Sequence, residues 1–432
     1  MSIKELYHIQ MILFYIVGCY AIYNIIVGNK TYKLLASFCL SGIVFSIARY
    51  FFDYPNGHDF SVYWNAGIDL HQGINPYLRP ELVSPPTAFP LFMLLAEFDQ
   101  IHSLFIWSLL NISLVLFLAP LSLQVTQPSL LREDPKKYFY TSLIITSIVS
   151  LSIATVDAVT SGQLSIFVTI CILLALLMQQ KKFPIIAGVF LACASIKPQT
   201  MLPFLLLFLN RSDLRIWIVM IFTGFLFAIM GTWNLHLLEE NLLAEMKNIS
   251  FLAHPGMAND YTSLNINHNT IVGLKRALYC LGLRDHSLIS CLEFGILGIV
   301  GIILWRSILK NRFSKAGCCA LICIYSFIFM YHRIYDVPIL VLPLTYIWVS
   351  ASEVNDASRK WLIAAFCSLL PCFFVQYHLI VEFENHLYHL HPLGLFVNAV
   401  VLPYTTWFAL LSLALLYFHM VQKDRLTLYN NV

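Results

Sequence analysis

The chain has 432 residues, 59% of them hydrophobic and 11% charged, with a formal net charge of +3 and a mean hydropathy of +0.74. Soluble domains carry about 25% charged residues, so lipid must cover much of this surface, and no separate soluble domain is expected. The basic loops are short and lack the aromatic interleaving of nucleic-acid binders, which argues against a nucleic-acid partner.

Runs of roughly 20 apolar residues match the ~30 Å hydrocarbon core of a bilayer. Backbone groups in lipid must be satisfied within the segment, which favours helices over strands. The predicted fold is therefore an all-α polytopic membrane protein, one integral membrane domain over 1–432. Candidate spans are 9–27, 34–52, 102–124, 138–156, 163–180, 215–232, 286–305, 316–331, 336–350, 361–380 and 394–420. No A-x-A-like cleavage site follows the first run, so it reads as a retained helix.

In the loop 53–101, a helix over 60–71 puts Phe60, Tyr63, Trp64, Gly67 and His71 on one face, with Ser61, Asn65, Asp69 and Gln72 away from it. That is the pattern of a helix lying at the membrane interface. Ser84-Pro85-Pro86-Thr87 opens a second short apolar helix over 87–98. Lys197-Pro198-Gln199-Thr200 splits 184–210 into two segments too short to span, and Pro198 disfavours helical geometry at Lys197. Two half-helices that dip in and return are predicted. In the loop 233–285, Ile271, Leu274, Leu278 and Leu281 share a face with Arg276 pointing away, which predicts another interfacial helix.

The loops holding Lys30/Lys33, Arg132/Lys136/Lys137, Lys181/Lys182, Arg211/Arg215, Arg306/Lys310/Arg312/Lys315, Arg359/Lys360 and Lys423/Arg425 carry 17 of the 26 basic residues. The positive-inside rule makes that side cytoplasmic. The long loops then lie outside, together with Asp157–Ser161, Lys197–Thr200, His332–Tyr335 and Val381–Leu393.

Asp59 follows an apolar run; it suits the N-cap of the 60–71 helix and equally a general base for a substrate hydroxyl. Lys197, bracketed by apolar segments, reads as a phosphate contact at broken helix ends or as a lysine snorkelling to the interface. His332, Arg333 and Asp336 form an outer polar patch that could bind an anion, or an ordinary turn with Arg333 paired to Asp336. Glu293 is an isolated carboxylate inside a span. The spacing of His386, His389 and His391 is not a metal-ligand pattern, and the cysteines, Cys318, Cys319 and Cys323 among them, read as buried small hydrophobes. No metal and no cofactor is expected. The P-loop, Rossmann, G-x-S-x-G and H-E-x-x-H motifs are absent, as is a D-x-D pair.

Asp59-Phe60-Ser61-Val62-Tyr63-Trp64-Asn65-Ala66-Gly67, Gly73-Ile74-Asn75-Pro76-Tyr77 and Pro85-Pro86 resemble the N-terminal signature of glycosyltransferase family 87. Ser161-Gly162-Gln163-Leu164-Ser165 resembles its Gly-Gln segment, Ala194-Ser195-Ile196-Lys197-Pro198-Gln199 its Lys-Pro-Gln segment, and Asn267-His268-Asn269-Thr270-Ile271-Val272-Gly273 its Asn-rich loop. The His332–Pro338 patch resembles a His-containing edge of the family. The matches run in order over about 59–345, leaving 346–432 as C-terminal helices. Two spans precede Asp59 where one is usual, and the usual Tyr-x-Pro-Pro stands here as Val83-Ser84-Pro85-Pro86.

The resemblance implies a GT-C fold of about 11–13 membrane helices with interfacial helices in the outer loops. It implies a multi-pass protein of the inner or plasma membrane with an extracytoplasmic active site. It also implies transfer of a hexose, mannose first, from a polyprenyl-phosphate donor to a glycolipid or glycan hydroxyl, with inversion. Asp59 is then the catalytic base, Lys197, Arg276 and Arg333 hold the donor phosphate, and His332, Tyr63, Gln163 and Asn269 position the substrates. The alternative is a transporter or flippase of a lipid-linked substrate, with polar groups at the midplane.

Overall fold

The computed structural model describes residues 40, 42–44, 46–47, 50, 57–232, 235–310, 312–329, 331–354, 358–374 and 397–430. The protein is an all-α polytopic membrane protein. Among the described residues five helices are long and apolar enough to cross a membrane, or six if one bent pair is a single span. They are Gln100–Thr126 (α3), Leu214–Thr232 (α9), His286–Leu309 (α12), Ile334–Glu353 (a 3₁₀ entry, Ile334–Leu340, running into α14, Val341–Glu353) and Tyr404–Asn430 (α16), whose apolar part is Tyr404–Lys423.

The bent pair is Pro135–Leu151 (α4) and Ile153–Thr160 (α5), which meet at 65°. Ser152 causes the break: its backbone is extended and its Oγ caps α5 by accepting from the Thr155 N–H. The 163–180 and 316–331 segments fold as Ser165–Gln180 (α6) and Lys315–Ile328 (α13), of 16 and 14 residues. They are shorter than a bilayer is thick because other helices enclose them; every residue from Gly317 to Ile328 is buried. Cys318, Cys319 and Cys323 are packed within this helix as free thiols. The predicted spans 9–27, most of 34–52, the end of 361–380 and the start of 394–420 lie outside the described residues; Arg359–Phe374 forms a helix, α15.

The break at Lys197 is as expected. Pro184–Ala194 (α7) rises to it, and Pro198–Met201 (α8) leads into a 3₁₀ segment, Leu202–Phe208, that returns. The Ser326 Oγ donates to the Thr200 carbonyl at 2.6 Å, which locks the returning half against α13.

In the first loop the helices are His58–His71 (α1) and Phe89–Leu95 (α2), entered through a 3₁₀ turn at Pro86–Ala88. Asp69, expected off the apolar face, is buried and pairs with Arg79. Gly67 lets α1 and α2 touch: a Cβ there would stand 2.1 Å from the Phe92 carbonyl oxygen. Gly67→Ala is expected to cost about 1–3 kcal/mol through overpacking. Thermal melting of the purified variant checks this; an unchanged melting temperature would show that α1 is not pinned at this contact.

The second loop begins with Leu235–Leu252 (α10). A two-residue strand, Ile271–Val272 (β1), pairs antiparallel with His332–Arg333 (β2), with Ile271 opposite Arg333 and Val272 opposite His332. The expected interfacial helix is Leu274–Cys280 (α11), but Arg276 does not point away from the protein. It is 3% exposed, because its charge is satisfied within the loop.

Candidate active site

Asp59 is not the N-cap of α1. That position is Gly57, whose φ of +55° makes a glycine the suitable residue. Asp59 sits in the first turn, half-buried, with its carboxylate free of capping. The Gly57 and Phe60 N–H groups donate to the carbonyls of Thr160 and Ser161 at 3.1 and 3.0 Å, which fixes the start of α1 against the end of α5.

The chain then turns through Gly162, whose φ is +75° and whose absent Cβ would lie 2.5 Å from the Phe60 Cβ. Its carbonyl accepts from the Trp107 Nε1 at 2.9 Å. This turn delivers Gln163, 2% exposed, to Asp59: the amide Nε2 donates to Oδ2. The Gln163 Oε1 accepts from the Tyr63 hydroxyl at 3.4 Å, and the Tyr63 ring stacks on Phe92 with centroids 5.1 Å apart. Burial, with Asp59 and Asp336 nearby, pushes the Tyr63 phenol well up, so it stays a donor.

Gln163→Ala removes the donor that orients the Asp59 carboxylate. The expected loss in kcat is about 10–100-fold, as for a partner that fixes a reactive group. Steady-state transfer assays with a melting control measure it, and wild-type kcat in the variant would contradict the arrangement.

Lys197 is not snorkelling. Its Nζ donates to the Ser165 Oγ at 2.7 Å and to Asp336 Oδ1, and lies 5.0 Å from the centre of the Tyr335 ring. Asp336 is enclosed. Besides Lys197 it accepts from the Ser165 hydroxyl, from the His332 Nδ1 at 3.0 Å and from the Arg333 backbone N–H at 3.3 Å. The His332 side chain is fully buried beside Phe327, and its Nε2 has no hydrogen-bond partner among the described residues.

The Arg333 guanidinium is therefore not paired with Asp336. Its Nε donates to the Tyr331 hydroxyl at 2.6 Å and its Nη2 to the Ala258 carbonyl at 2.8 Å. Asp59 lies within electrostatic reach. Among the described residues Arg333 has no carboxylate ion-pair partner.

The loop that supplies Ala258 is knotted by Asp260, which accepts from the Gly256 and Thr262 N–H groups and the Thr262 hydroxyl. The Asn265 amide donates to the Ala258 and Asp260 carbonyls. Arg276 donates from Nη1 to the Tyr261 carbonyl at 3.1 Å and from Nη2 to Asn269 Oδ1 at 2.9 Å. Arg276 and Asn269 thus brace the loop that holds Arg333. Asp59, Tyr63, Gln163, Lys197, His332 and Arg333 come together at one end of the helices.

Glu293 is not isolated; Lys275 pairs with it at 3.4 Å. His386, His389 and His391 lie outside the described residues. Sequence reasoning did not single out Ser165 or the two phenols Tyr331 and Tyr335. It gave Asp336 Arg333 as a partner and not Lys197, although Asp336 stands four residues after His332, and Ser165 ends the Gly-Gln segment.

The family model for glycosyltransferase family 87 matches residues 83–330, more than half of the chain. The chain belongs to glycosyltransferase family 87. No curated protein matches it. This family 87 member is a glycosyltransferase, with a sugar donor and an acceptor, built on several membrane helices. The matched stretch contains Gln163, Ser165, Lys197, Asn269 and Arg276. Asp59 lies before it and the His332–Asp336 patch after it, and geometry joins both to the matched residues.

Proposed function

We propose that this glycosyltransferase moves a hexose, mannose first, from a polyprenyl-phosphate donor to a hydroxyl of a glycolipid or glycan, on the extracytoplasmic face and with inversion. The observation that carries the reading is the gathering of Asp59, oriented by Gln163, with Arg333 and Lys197 around Tyr335 from segments far apart in the chain.

The chemistry suits one carboxylate. The acceptor O–H gives its proton to Asp59 as its oxygen forms a bond to the anomeric carbon. The bond from that carbon to the phosphate oxygen breaks, and its electron pair leaves with polyprenyl phosphate. The donor is a phosphodiester with one negative charge; the leaving monoester approaches two. The leaving group is already ionised, so no general acid is needed, unlike glycoside hydrolysis with its carboxylate pair. Arg333 and Lys197 offset the charge that develops. Tyr63 holds Gln163, and His332 acts from behind Asp336. Direct displacement inverts the anomeric carbon. The helices and membrane-facing loops around this end suit a GT-C arrangement, in which a lipid-linked donor reaches the site from the bilayer.

Helix direction supports the extracytoplasmic side. α6 starts beside Ser165 and ends before Lys181; the span Ile334–Glu353 starts at Asp336 and ends before Arg359. Lys137 and Glu353 pair at 3.3 Å at that far end. The basic loops thus sit opposite the site, which favours an extracytoplasmic site under the positive-inside rule. The test is transfer from a panel of polyprenyl-phosphate hexoses with NMR of the product anomer. An inverted product supports the reading; a retained configuration would contradict displacement with Asp59 as base.

A further inference from the structure

A lysine that grips a phosphate has to be charged and aimed before the donor arrives. The Lys197 side chain is 12% exposed, and an ammonium held that far from water needs protein partners in place of hydration. Asp336 and Ser165 supply them. An ammonium has three N–H donors. Two go to these partners, leaving one for a ligand oxygen.

Asp336 is more than the other half of an ion pair. Its Oδ1 takes Lys197 and Ser165, while its Oδ2 takes the His332 ring and the Arg333 backbone N–H. One carboxylate therefore joins three segments: the start of α6, the break after α7, and the edge that carries Arg333. A need for stability does not account for it, since a buried ion pair can often be replaced by apolar side chains without loss. What apolar side chains would not reproduce is a charged donor at a fixed place.

We propose that Asp336 is a positioning residue for donor binding: its carboxylate holds Lys197 so that the remaining N–H meets the phosphate of the polyprenyl-linked donor. This rests on the reading of Lys197 as a phosphate ligand. The same carboxylate sets the register between Lys197 and Arg333, so the two cations address one phosphate.

The test is equilibrium binding by the full-length protein in lipid nanodiscs, using radiolabelled polyprenyl-phosphate mannose, polyprenyl phosphate and polyprenol. Asp336→Asn keeps the side-chain shape and should weaken both phosphate-bearing lipids about 10–100-fold, the size usual for losing a partner that orients a binding group. Polyprenol binding should not change, whereas a merely structural defect would weaken all three. Lys197→Ala should show the same selectivity, and Lys197→Ala with Asp336→Asn should bind no more weakly than Lys197→Ala alone, as for residues acting through one contact.

If Lys197→Ala leaves affinity for the phosphate lipids intact, the phosphate role of Lys197 fails. If Lys197→Ala weakens them while Asp336→Asn does not, or if the two losses multiply, the positioning role of Asp336 fails. Should Asp336→Asn not fold, Ser165→Ala loosens the same lysine without stranding a charge. It should give a smaller loss confined to the phosphate lipids, and equal losses for polyprenol would overturn the proposal.

Discussion

Asp59→Asn is expected to lower kcat by about 10²–10⁴-fold, the usual contribution of a positioned general base, while the protein folds and binds donor like the parent. The amide matches the carboxylate in shape, and its oxygen can still accept from the Gln163 Nε2, so the start of α1 has no reason to move. What is lost is the basicity that takes the acceptor proton. Single-turnover transfer with preloaded donor separates this step from binding. A folded variant that transfers at the parental rate would remove Asp59 from the chemistry. A variant that loses donor affinity in proportion to kcat would make Asp59 a binding residue instead.

Arg333→Ala is expected to lower kcat/KM for the donor by about 10²–10³-fold, the size seen when one donor to a developing oxyanion is removed. The loss should appear in kcat as well as in KM, because the phosphate gains its second charge as the sugar leaves. Arg333→Lys should recover little. The guanidinium serves the Tyr331 hydroxyl and the Ala258 carbonyl from two nitrogens in a fixed fork, a geometry a lysine cannot copy. Kinetics with donor and acceptor varied separately provide the check: an unchanged donor dependence in Arg333→Ala would exclude phosphate contact.

Much of this site was legible in local sequence. Pro198 after Lys197 disfavours helix at the lysine, and the chain breaks there. The Ser161-Gly162-Gln163 turn needs the positive φ of Gly162, and that turn brings Gln163 to Asp59. Hydropathy found the long spans, because the apolar runs of α3, α9 and α12 meet lipid along much of their length.

What local pattern did not give was partner choice. Arg333 stands three residues from Asp336, which suggested a pair, yet Asp336 takes Lys197 from 139 residues away. The Arg333 side chain instead follows the loop fastened to its strand by β1. The helical pattern of 271–281 pointed Arg276 outward, but that loop folds over it and satisfies the charge with Asn269 and a carbonyl. Glu293 looked isolated for the same reason: its partner Lys275 lies on a separate helix. The segments 163–180 and 316–331 fold within three residues of the predicted bounds, and α6 and α13 can be short because a helix wrapped by protein does not need to match the bilayer.

The most direct measurement is sugar transfer by the purified protein from radiolabelled polyprenyl-phosphate mannose or polyprenyl-phosphate glucose, beside the matching nucleotide sugars, with membrane glycolipid as acceptor. A polyprenyl-phosphate donor predicts label in the acceptor from a lipid-linked sugar, release of polyprenyl phosphate in equal amount, and no transfer from a nucleotide sugar. Transfer from a nucleotide sugar without any lipid-linked donor would contradict it.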